Sequence, residues 1–113
     1  MATPDYQRYY REKLFKLAKE SELVQIQQKE LKYQDYFELL LPKDSIIFAI
    51  GREKDGKDYM YYLANPNNPK FEKRRFRFAC SRLSMLTEEY VPIYIDSLKD
   101  TSAIYHLFEL VSI

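Results

Sequence analysis

The chain has one cysteine, one histidine and two glycines in 113 residues. Each scarcity closes a class of fold or function. A single cysteine, Cys80, allows no internal disulfide, so the framework of a small secreted domain is excluded and a reduced intracellular setting is expected. One domain of this length buries a real core without a metal or cross-link. One histidine and one cysteine cannot make a zinc site of the usual ligand types, and no oxygen-rich loop resembles a calcium site. Gly51 and Gly56 stand alone, so neither glycine-rich phosphate fingerprint exists. No apolar run approaches membrane-span length. The start, Met1-Ala2-Thr3-Pro4-Asp5, lacks the basic and then apolar regions of a signal peptide. The expectation is a cytoplasmic protein with no membrane partner and no cofactor.

Catalytic groups are equally scarce. By strand parity Cys80 shares a face with Phe76 and Phe78, where burial would keep it a thiol. His106 lies in an apolar segment and reads as a packed or edge histidine. Asp58, Glu88, Glu89 and Asp96 are scattered, and Glu88-Glu89 reads as a solvated turn. No enzyme is expected.

What the chain does have is aromatic residues and segregated charge. Eleven Tyr and seven Phe favour strands, where their rings cover a half-buried sheet face. The net charge is only +1, but residues 66–83 carry six cations (Lys70, Lys73, Arg74, Arg75, Arg77, Arg82) against one anion, Glu72, a local +5. Residues 1–35 are nearly balanced, and the remainder carries a local −5. A charged partner responds to that segregation more than to the total.

Thr3-Pro4-Asp5 is a helix start, with Thr3 as cap and Pro4 at the first helical position. Tyr6, Tyr10, Leu14, Leu17 and Ala18 form one stripe, which predicts a helix over about 4–20 packed on a sheet. The β-rich part then runs over about 22–113. Leu23–Ile26 reads as a short strand with a polar tail, Gln27-Gln28-Lys29-Glu30. Leu31–Leu41 alternates until Pro42 ends it, with a break expected at Asp35. Ser45–Arg52 and Asp58–Ala64 form a hairpin around Asp55-Gly56, and the first of these strands reads as buried on both faces. Asn65–Pro69 is a loop, Ser84–Glu89 a loop or helical turn, and Ser97–Thr101 a turn. Val91, Ile93 and Ile95 alternate with Tyr90, Pro92, Tyr94 and Asp96 in a further strand. Ala103–Ile113 fits both a helix capped by Thr101 or Ser102 and a buried strand. A strand is expected, because its neighbours are strands.

The whole is one α+β domain over 1–113: an N-terminal helix followed by about six strands in a mainly antiparallel, strongly curved sheet. A sheet of this size tends to curl, so a small half-open barrel is expected.

The stretch Phe71–Leu83 carries the functional reading. Phe76, Phe78 and Cys80 share one parity; Lys73, Arg75, Arg77, Ala79 and Ser81 share the other. The second set makes a ladder of cations about 7 Å apart. Cations neutralise phosphates, and flat rings stack unpaired bases. We expect Lys73, Arg75 and Arg77 to contact phosphates, Arg74 and Arg82 to flank them, and Tyr61 and Tyr94 to stack. The competing reading is a solvated face whose cations pair with the chain's own acids. Tyr and Arg are also preferred anchors of protein interfaces, so a protein-interaction module, an inhibitor or adaptor, is the alternative. Its homodimeric version would use an exposed edge at Tyr90–Asp96 or Ala103–Ile113.

The paired strands Ser45–Arg52 and Asp58–Ala64 and the run Lys73-Arg74-Arg75-Phe76-Arg77 give the chain a layout that resembles the small PUA-like barrels. These are RNA-binding modules built from a strongly curved sheet with one or two flanking helices. Its size and Lys/Tyr-rich character are similar to those of RNA-binding regulators carried by conjugative plasmids and phages of Gram-positive bacteria. The resemblance implies RNA recognition without catalysis.

Overall fold

The computed structural model describes residues 6–19, 21–32, 35–80, 89–99 and 103–112. A helix, α1 (Tyr6–Ala18), and a short 3-10 turn (Ser21–Leu23) precede seven strands. These are β1 (Gln25–Leu31), β2 (Tyr36–Pro42), β3 (Ile46–Arg52), β4 (Asp58–Ala64), β5 (Phe71–Cys80), β6 (Tyr90–Lys99) and β7 (Ile104–Ser112). All pairings are antiparallel, in one sheet ordered β1-β4-β3 and another ordered β2-β5-β7-β6.

The α+β class and the leading helix agree with the sequence. The strand count and the barrel do not. The stretch Leu31–Leu41, expected as one strand, is divided: Leu31 closes β1 in the first sheet and Tyr36 opens β2 in the second. Leu23 lies in the 3-10 turn, and the polar tail Gln27–Glu30 supplies most of β1. A polar strand is tolerated there because β1 pairs only with β4 and forms the outer edge of its sheet.

Neither sheet closes into a barrel. β3 lies beside β6, and the Asp96 carboxylate accepts the Ile50 N–H at 3.0 Å. Both strands carry a bulge, at Ile47/Ala49 and at Tyr94/Asp96, and the ladder does not continue across them. The bulge in β3 also explains why that strand is not buried on both faces: Phe48 turns outward while Ile47 and Ile50 stay in the core. β7 is a strand, as expected, but it runs between β5 and β6 and offers no edge to a second molecule. β6 reaches Lys99, beyond the turn expected to begin at Ser97.

The core lies between the sheets. Ile47, Ile50, Met60 and Tyr62 meet Leu41, Phe76, Phe78 and Leu107, with Phe37 stacked on Phe76 at 5.4 Å. The alternation of β4 is strict, with Asp58, Met60, Tyr62 and Ala64 all buried. Of the helix side chains described, only Leu17 is buried, and Leu14 and Phe15 stay exposed. The expected stripe is therefore only in part a packing face. The capping residues Thr3 and Pro4 and the expected loop at Ser84 lie outside the described residues.

The β3–β4 hairpin turns where Asp55-Gly56 predicts it. Gly56 has a φ of 81°, and a Cβ added there meets nothing within 4 Å. Any penalty for a side chain is thus conformational. Gly56→Ala is expected to lower stability by about 1 kcal/mol in urea unfolding, with Gly56→Asn milder. Equal stability of Gly56→Ala and the parent would mean that the turn relaxes to negative φ.

Candidate nucleic-acid interface

The four-stranded sheet has one face on the core and one face outward. Strand parity sends Lys73, Arg75 and Arg77 of β5 outward, as the sequence predicts. Across the sheet on that face, Leu40, Glu38 and Tyr36 of β2 oppose Lys73, Arg75 and Arg77. On β7, Leu110 opposes Arg75, Phe108 opposes Arg77 and His106 opposes Ala79. Tyr94 of β6 opposes Phe108. Basic and aromatic side chains therefore share one face, on which Tyr36, Leu40 and Tyr94 are exposed and Ala79 and Leu110 are buried.

Each of the three cations has an acid beside it. Lys73 Nζ is 3.4 Å and Arg75 Nε 3.6 Å from Glu38, and Arg77 Nε is 3.0 Å from Asp35. The Arg75 guanidinium also lies over the Tyr90 ring, 5.4 Å from its centroid. Glu38 accepts the Tyr36 hydroxyl at 2.8 Å; that bond, with Lys73 and Arg75, holds its carboxyl below the usual range. These pairs are at the surface, where solvent screens them and a phosphate can take the place of the carboxylate.

The rings form a second group. Tyr94 is half exposed, with its ring 5.7 Å from Phe108 and 6.2 Å from His106. His106 opposes Ala79, while Cys80 is registered against Tyr105, so the one histidine and the one cysteine are not cross-strand partners.

Three sequence candidates stand elsewhere. Tyr61 is in the three-stranded sheet, with its hydroxyl bonded to Glu53, and is not brought to the basic face. Arg82 lies outside the described residues. Arg74, expected to flank the ladder, is instead buried at 4% exposure on the core face. Its parity with Phe76 and Phe78 was the available signal.

Arg74 centres a polar network beneath α1. Its Nε and Nη2 donate to the two carboxylate oxygens of Glu109 at 2.6 and 2.8 Å, and its Nη1 donates to the Ser45 carbonyl and to Glu72. Tyr9 and Tyr10 donate their hydroxyls to the same Glu109 carboxylate, each at 2.8 Å. Lys13 reaches Glu72 at 3.1 Å and Asp44 at 3.8 Å. Burial lowers the proton affinity of Arg74, but the hydrogen bonds and charge of Glu109 outweigh it and the net shift is upward. Burial, then the Glu109 charge, pushes the Tyr10 hydroxyl well above its ordinary value. Tyr9 is also raised, by burial first, although the Arg74 charge opposes the shift. Glu72 is desolvated too, yet Lys13 and Arg74 hold its carboxyl below the usual range. The arrangement is fully paired: among the described residues no buried side-chain nitrogen or oxygen lacks a partner. It fastens the helix and leaves no donor for a ligand.

No family model matches the chain, and comparison with curated proteins and with solved structures finds no significant match. Among the described residues no group of histidine, cysteine and acidic side chains is arranged to hold a metal ion. No helix described is long and apolar enough to cross a membrane.

Proposed function

We propose that the chain is a non-catalytic regulator in the cytoplasm that holds single-stranded RNA on the outer face of its four-stranded sheet. The observation that carries this reading is the placement of Lys73, Arg75 and Arg77 on the same sheet face as Tyr90, Tyr94 and Phe108. Phosphates would replace Glu38 and Asp35 on the cations, and bases would stack on the rings. Arginine suits the task because its planar fork grips a phosphate with two bonds and also stacks. A PUA-like RNA module of the kind found in plasmid- or phage-borne regulators would hold RNA in this way.

Fluorescence anisotropy with a labelled single-stranded RNA of mixed sequence, between about 50 and 200 mM salt, tests it. The affinity is expected to fall steeply with salt. Replacing Lys73, Arg75 and Arg77 together with alanine is expected to weaken binding and flatten the log–log slope by about 2, close to 0.7 per lost phosphate contact. Lys73 is exposed while Arg75 and Arg77 are half-buried, so a melting curve of the triple variant accompanies the titration. No binding at the lowest salt, or an unchanged slope in the triple variant, overturns the assignment.

One observation favours a second reading. Five large apolar side chains (Tyr36, Leu40, Phe71, Tyr94 and Ile104) are exposed, and strand parity places all five on this face. Together with cations already paired to acids, that composition also suits a protein interface, including one between two copies of the chain. Light scattering of a protein that fails to bind RNA separates the cases: a monomer at high micromolar concentration removes the homodimer.

A further inference from the structure

The bulge in β6 decides which side chain faces His106. Tyr94 opposes Phe108, so an unbroken ladder would set Asp96 opposite His106 on the outer face. The bulge instead sets Asp96 opposite Leu107 and Ser97 opposite His106. The carboxylate is withdrawn and fully engaged: one oxygen accepts the Ile50 N–H at 3.0 Å, the other the Ser97 N–H at 2.8 Å. In its place the Ser97 hydroxyl stands 2.6 Å from His106 Nδ1 and 2.6 Å from the Tyr94 hydroxyl. Among the described residues, His106 Nε2 has no hydrogen-bond partner. Bulges recur where a strand must re-aim one side chain; this one exchanges an anion for a neutral hydrogen-bonding group in the middle of an aromatic surface.

We propose that Tyr94, Ser97 and His106 form a subsite that reads the edge of one unpaired nucleobase, with Tyr94 and Phe108 as its stacking surface. The inference rests on the single-strand reading of this face. A carboxylate here would repel the phosphates that flank any base, and it would offer only acceptors. A hydroxyl and an imidazole offer both donors and acceptors, which is what the Watson–Crick edge of a base requires. The linked hydrogen bonds fix the three groups relative to one another, so little side-chain freedom is lost when a base arrives. Arg77 on β5 opposes Phe108 on β7, which opposes Tyr94 on β6, so Arg77 stands across Phe108 from Tyr94, where it can hold the backbone of the same nucleotide strand.

The test compares short labelled homopolymers of uridine, adenosine and cytidine on the parent protein, Ser97→Ala and His106→Phe, with melting curves to confirm that both variants fold. The parent is expected to prefer one homopolymer by roughly tenfold, the effect of one or two net hydrogen bonds. Both variants are expected to compress that preference to within about twofold while the salt slope stays unchanged, because no phosphate contact is removed. A parent without base preference, or a preference retained in both variants, overturns the subsite and leaves the basic face standing. Failure of the parent to bind any of the three overturns the interface and the subsite together.

Discussion

Arg74→Ala is expected to destabilise the protein by about 3–5 kcal/mol, the cost of breaking a buried ion pair by removing one partner. A domain of this kind has only about 5–15 kcal/mol to lose, so the variant sits close to unfolding. The reason lies in what is left behind. Glu109 is 1% exposed, and without the guanidinium its carboxylate keeps only the two tyrosine hydroxyls. The Ser45 carbonyl loses its Arg74 donor in the same step. Glu109→Ala should cost less, because Arg74 keeps Glu72 and the Ser45 carbonyl on its Nη1. The double replacement Arg74→Met with Glu109→Leu is the informative partner. It removes both charges and keeps the volume, but the Tyr9 and Tyr10 hydroxyls and the Ser45 carbonyl lose their partner, so only part of the single-variant loss should return. Urea unfolding of the four proteins measures each loss and how much of it the double replacement restores. Single variants that each cost less than about 1 kcal/mol would mean that water enters and solvates the remaining charge.

The same pair shows what the sequence makes legible. Strand pairing was readable wherever hydrophobic alternation and turn chemistry agreed. The hairpin of β3 and β4 is the clear case, with β4 matching at both ends. The outward placement of Lys73, Arg75 and Arg77 was readable for the same reason: a strand has only two faces. Arg74 has the parity of the core side chains, but its charge argues for the solvent. A burial pattern that includes an ionised side chain makes sense only once a partner is known, and Glu109 is 35 residues away. The division of residues 31–41 between two sheets left no periodic trace. The alternation keeps one parity on both sides of Asp35, so it does not record which strand each half pairs with, and the break at Asp35 reads equally well as a bulge. The bulge that turns Ser97 towards His106 is likewise a register event, set by β7 and by the Ile50 amide rather than by the residues around it.

Tyr9→Phe with Tyr10→Phe is expected to loosen α1 selectively. Each hydroxyl donates to a buried carboxylate, and a hydrogen bond to a charged group contributes roughly 1.5–3 kcal/mol. The rings remain, so the edge contact between Tyr9 and Tyr10 at 5.1 Å and the Lys13 ammonium over the Tyr9 ring are kept. Glu109 also keeps its two-bond contact with Arg74, so the sheet is not left with a bare charge. The loss therefore falls on the attachment of the helix. That attachment is chiefly polar, because of its described side chains only Leu17 is buried. Amide exchange is the discriminating measurement, since it reports the stability of each element separately. Backbone amides of α1 are expected to lose protection while those of β4, β5 and β7 keep theirs. A uniform fall across helix and strands would mean instead that α1 belongs to the same cooperative unit as the sheet. The double variant also separates the two faces of the four-stranded sheet. The tyrosines act on the core side and the proposed RNA contacts lie on the other, so a loosened helix should leave the RNA affinity and its salt slope as they are in the parent.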